Sequence, residues 1–141
     1  MKKIFKLLIV FLLLVQLSNA QTEAQQKAQQ EWIYANRSSY ISQPFSLLYN
    51  ALTIKPQSVW GGIGHANRFV EPKHKFFYRD TANYDDTVYY FYIEWQTPPL
   101  LTETTKYQNF GFRAFNAQEY LTYKDLIIKK LDVYRKVGEP W

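Results

Sequence analysis

The chain has 141 residues, 18% of them aromatic, a formal charge of +5 and no cysteine. The missing cysteine excludes a disulfide scaffold, a thiol nucleophile and acylation at a lipoprotein cysteine, so stability has to come from packing. Lys2, Lys3 and Lys6 account for part of the positive charge; beyond them fourteen basic residues face twelve acidic ones, a balance of +2 with no basic stripe, which argues against a nucleic-acid partner.

Residues 1–20 read as a secretory signal: the three lysines precede an apolar run over 7–15, and Ser18, Asn19 and Ala20 supply small residues at the cleavage positions. A run of nine apolar residues is far short of the roughly 20 that span a bilayer, so cleavage before Gln21, no retained membrane span and a periplasmic or secreted location are expected. Residues 21–141 then form one domain, with one core.

Residues 23–37 lack proline and glycine and predict a helix that opens at Thr22 and Gln25. Its docking end carries Trp32, Ile33 and Tyr34, while 21–28 has nothing apolar to bury and is expected to fray. Pro44 in a first turn, with Phe45, Leu47, Leu48 and Leu52 behind it, predicts a second short helix that stops before Pro56. Gly61, Gly62 and Gly64 follow Trp60 without the spacing of a phosphate loop, and are read as a turn or bulge that re-aims the indole.

Extended segments are expected over 66–70 and 74–79, the second joined by a turn over 80–86 to the strand 87–96, in which nearly every residue is β-branched or aromatic. Alternation places Tyr89, Phe91, Ile93 and Trp95 on one face of that strand and Val88, Tyr90, Tyr92 and Glu94 on the other. Pro98 and Pro99 end it. A further strand is expected over 109–115, with Phe110, Phe112 and Ala114 on one face and Gly111 and Arg113 on the other. Last comes a long helix, capped by Asn116, boxed by Glu119 and stopped by Gly138 and Pro140, with Tyr120, Tyr123, Ile127, Leu131 and Tyr134 as its buried stripe.

The expected fold is α+β: an antiparallel sheet of three to four strands with N-terminal helices and a long C-terminal helix, mostly on one face. This order of elements is similar to that of cystatin-like and NTF2-like folds, a likeness of shape that carries no activity.

The sequence shows no catalytic triad, nucleotide loop or zinc spacing, and implies no cofactor. The histidines, His65 and His74, with Glu94, Asp80 and Glu71 as carboxylate partners, are the weak catalytic candidates; exposed strand-end histidines are the plainer reading. Glu94, if covered, needs a cation such as Arg79 or Arg113. The leading functional reading is a non-enzymatic binding module of the inhibitor, immunity or accessory-surface type. It would use the sheet face around Tyr78, Tyr90, Tyr92 and Glu94 with the loop carrying Trp60 and His65, toward an extracytoplasmic protein or a glycan, or toward a second copy as a homodimer. The alternative is a small hydrolase or pocket protein of cone-shaped α+β form that uses His65, His74, Glu94 or Asp80.

Overall fold

A computed structural model of the protein describes residues 23–62, 64, 67–78, 89–106, 108 and 111–135. The expected signal, Thr22, His65, Arg79, the turn over 80–86, Val88 and the stop at Gly138 and Pro140 lie outside them. Helix α1 covers 23–36, followed by a 3-10 turn at Arg37–Ser39. Helix α2 is Phe45–Ala51, α3 the single turn Leu101–Thr104 and α4 Ala117–Tyr123. The strands are β1 Ser58–Gly62, β2 Lys73–Phe77, β3 Tyr89–Trp95, β4 Phe112–Ala114 and β5 Ile128–Arg135. They form one five-stranded sheet in the order β4-β1-β2-β3-β5, every pair antiparallel.

The α+β class holds, and the sheet gains a fifth strand from the segment read as the end of a long helix. That helix stops at Tyr123, and Ile128–Arg135 pairs along β3 instead. The misleading feature is a bulge. Phe91 faces Val133 and Ile93 faces Leu131 in strict alternation, then Trp95 faces Ile128 with Lys129 as the extra residue. The inserted residue sets Ile128 three positions from Leu131, a helix-like spacing in a strand whose other inward residues recur every second position. Tyr134 accordingly faces away from the side that buries Leu131 and Val133.

The core lies between one sheet face and the helices. Ile33 of α1, Phe45 and Leu48 of α2 and Tyr123 of α4 pack on Val59, Phe76, Phe91, Ile93, Trp95, Leu131 and Val133. Phe76 is its centre, stacked on Phe45 at 5.0 Å and on Phe91 at 5.1 Å. Such ring pairs add to the area they bury. Leu47, placed by the sequence in the α2 stripe, is half exposed. The polar start of α1 docks through glutamines: Gln26, Gln29 and Gln30 are buried, and the Gln29 Oε1 accepts from the backbone N–H of Thr53 at 2.7 Å and of Ile54 at 3.1 Å. That bond set closes the turn after α2.

Asn116 is the cap the sequence predicts. Its side chain accepts from the N–H of Gln118 at 2.9 Å and of Glu119 at 3.0 Å. An α4 of seven residues has little hydrogen bonding of its own, so Asn116→Ala should lower the urea midpoint by the equivalent of about 1 kcal/mol. An unchanged midpoint would mean that α4 is held by packing alone.

Candidate functional site

The register gives every strand residue a side. One face presents Val59, Gly61, His74, Phe76, Phe91, Ile93, Leu131, Val133 and Arg113 to the helices. The other presents two full rows. Across the sheet these are Ala114, Ser58, Phe77, Tyr90 and Tyr134, then Phe112, Trp60, Lys75, Tyr92 and Asp132, with Lys73, Glu94 and Lys130 beyond. Here Phe77 and Tyr90 are buried against Trp60, Phe112 and Tyr134, and among the described residues no helix residue belongs to that cluster. Phe77 meets Tyr90 at 5.1 Å and Phe112 at 5.0 Å, and Tyr90 stacks on Tyr134 at 5.2 Å. The Lys75 ammonium stands 5.0 Å from the Trp60 ring centre and 5.4 Å from that of Tyr90, within cation–π range. Burial lowers the Lys75 pKa, and burial together with the Glu94 charge pushes the Tyr92 hydroxyl up to about 12.

This face meets the sequence expectation in part. Tyr90, Tyr92, Glu94 and Trp60 do share it, and Tyr92, Glu94 and Trp60 are partly exposed. Tyr78 does not: it lies in the helix-side core, 3% exposed, its hydroxyl buried without a hydrogen-bond partner among the described residues, because the alternation of β2 continues past Phe77. Gly61 and Gly62 are in-register strand residues and not a turn. Glu94 pairs with Lys129 at 3.3 Å, through the bulge, and not with Arg113. Sequence reasoning missed Lys75, Phe77, Phe112 and Tyr134 as members; the signal was the alternation Lys73, Lys75, Phe77 on β2. It also missed Phe69 and Leu100, 77% and 52% exposed, on segments joined by the Val70 and Leu100 bridge.

The catalytic candidates come apart. His74 faces the core and Glu94 the opposite side, so they form no acid/base pair, and His74 is fully buried where an exposed strand-end histidine was the plainer expectation. His65 and Asp80 lie outside the described residues.

The partner of His74 is Glu71, at 3.0 Å from Nε2 to Oε2. The Trp95 indole N–H donates to Nδ1 at 2.8 Å, so Nδ1 is the acceptor and Nε2 carries the hydrogen given to Glu71. Arg113 reaches the same carboxylate with both ends, Nη1 to Oε1 at 3.4 Å and Nη2 to Oε2 at 3.1 Å, and donates to the Tyr123 hydroxyl at 3.0 Å. Glu119, boxed onto its own helix start by the sequence reading, lies instead with Oε1 4.0 Å from the Arg113 Nε and 3.1 Å from the Gln108 amide.

None of Glu71, His74, Arg113 and Glu119 is more than 2% exposed. Burial raises the Glu71 pKa, but hydrogen bonds from His74 and Thr104 and the charge of Arg113 outweigh it and hold the carboxyl at about 2. Burial pushes Glu119 up and His74 down. Gly61 is the residue that admits the cluster, since a Cβ there would stand 2.3 Å from the Glu71 Oε1. Both ring nitrogens of His74 are held by protein groups, so the imidazole keeps no lone pair free, while Glu119 Oε2 and Arg113 Nε are buried with no hydrogen-bond partner among the described residues; the cluster acts as a buried polar brace.

Among the described residues no group of three His, Cys, Asp or Glu side chains is placed to hold a metal ion, and no helix is long and apolar enough to cross a membrane. Comparisons with protein-family models, with curated proteins and with solved structures found no match.

Proposed function

We propose that the protein is an exported, non-enzymatic binding module that grips a partner protein with the sheet face opposite its helices. The reading is supported above all by the partly exposed rings of Trp60, Tyr92, Phe112 and Tyr134, gathered around the buried Phe77 and Tyr90 where no described helix packs. Rigid aromatic side chains give large contact area at low entropy cost, and exposed aromatic patches mark interaction sites. The signal-like start of the sequence supports an extracytoplasmic setting, of the inhibitor, immunity or surface-accessory kind.

A protein fits this face better than a glycan does. Sugar stacking needs a free flat ring, whereas the Trp60 ring lies over Gly62 and under Lys75, and Tyr90, 3% exposed, is stacked on Tyr134.

Tyr92→Ser is the test. Tyr92 is half-buried between Lys75 and Asp132, so its loss should cost no more than about 1 kcal/mol of stability, while capture of a partner from the native envelope is abolished. Capture that survives the substitution removes this face from the function. Light scattering that shows a dimer split by the same change would make the partner a second copy of the chain.

A further inference from the structure

We infer that the partner meets this face with an acidic polypeptide segment in extended form, whose carboxylates at alternate positions engage Lys73 and Lys75; the inference rests on the reading of that face as the binding surface. Four lysines project around it. Lys129 is paired with Glu94 at 3.3 Å and Lys130 with Asp132 at 2.8 Å. Lys73, which stands across the strand from Glu94, and Lys75 are the two with no carboxylate within ion-pair distance among the described residues. Lys75 is the more exacting of the two. Half-buried, with the ring faces of Trp60 and Tyr90 against its ammonium and no anion beside it among the described residues, it has lost part of its water.

Spacing selects the ligand. Lys73 and Lys75 are alternate residues of β2 on one side of the sheet, so their side chains leave the backbone roughly 7 Å apart, two strand steps. An extended peptide repeats its same-side residues at that distance, so glutamates at alternate positions match the pair one to one. The carboxylates of Glu94 and Asp132 on the same face disfavour a chain that is negatively charged along its whole length, such as a nucleic acid, and leave room for one with discrete charges.

The test uses the purified protein and fluorescein-labelled peptides of alternating threonine and glutamate, with a threonine–glutamine peptide and oligothymidylate as controls, read by fluorescence polarisation. The glutamate peptide should bind, and the glutamine peptide and oligothymidylate should bind at least about tenfold more weakly. Lys73→Gln and Lys75→Gln should each weaken the glutamate peptide by about tenfold, with unchanged circular dichroism and melting. If Lys75→Gln loosens the fold, Lys73→Glu on the exposed neighbour carries the test, and its charge reversal should abolish binding. Equal binding of the glutamine peptide, tighter binding of oligothymidylate, or indifference to both lysine substitutions overturns the inference. Failure of the underlying reading looks different: envelope capture would then survive Tyr92→Ser. Capture lost in Tyr92→Ser but intact in both lysine variants keeps the face and rejects the acidic segment.

Discussion

Arg113→Met is expected to lower the unfolding free energy by about 3–5 kcal/mol, a large share of what a domain of this size has to lose. Methionine preserves the length and most of the volume of the arginine stem, so the loss reports charge. Removing the guanidinium takes two hydrogen bonds from Glu71 and one from Tyr123, and leaves a carboxylate with no solvent exposure beside a neutral imidazole. Glu71→Gln alone should cost less, since the amide still accepts from His74, and the double variant should cost clearly less than the sum of the two, because the buried anion and the group that neutralises it disappear together. Urea unfolding followed by far-UV circular dichroism measures all three. Strict additivity, or an Arg113→Met loss below about 1 kcal/mol, would show that solvent reaches the cluster and that it braces nothing.

The fold was legible wherever local chemistry decides the structure. The alternation of Tyr89 to Trp95, Pro44 at the head of α2 and Asn116 as a cap each act within a few residues, and each stands where the sequence puts it. The C-terminal strand was hidden because one inserted residue, Lys129, gave its apolar positions a spacing of three. The lost pairing of Glu94 follows from the same error, since its partner arrives on β5.

The buried cluster was hidden for a different reason. Glu71 stands just before Pro72, where the sequence marks only the end of an extended segment. What draws its carboxylate under the sheet is space left by Gly61 on the neighbouring strand and a cation from Arg113 on the edge strand. Neither is visible along the chain, so the glycines read as turn residues and His74 as an exposed strand end. The aromatic face was visible as an excess of tyrosine. Its central lysine was not, because a lysine at a polar strand position becomes notable only when the register sets it between Trp60 and Tyr90.

Acid should erode the stability of the protein in two stages. Above pH 6.5 His74 is neutral in both states; below it the unfolded chain takes up a proton that the folded chain resists, because burial disfavours the cation and Trp95 already occupies Nδ1. Stability from this source is therefore complete above pH 6.5 and declines as pH falls from there. Glu71 adds a second limb. Its folded pKa is held well below the unfolded value of 4.5, so its contribution is complete above pH 4.5 and is lost as pH falls through the folded value.

Glu119 works in the opposite sense: its raised pKa gives stability that is present below pH 4.5 and disappears as pH rises through the folded value, which blunts the first stage. Urea midpoints from pH 7 to pH 3 should thus fall gently to about 4.5 and steeply beyond, and Glu119→Gln should steepen the gentle limb. Trp95→Phe frees Nδ1 for a proton, so His74 can become a cation against Glu71. The limb between pH 6.5 and 4.5 should then flatten, whatever the substitution costs in packing. An unaltered slope there would mean that the indole N–H does not hold the imidazole neutral, and the hydrogen placement assigned to the cluster would have to be reversed.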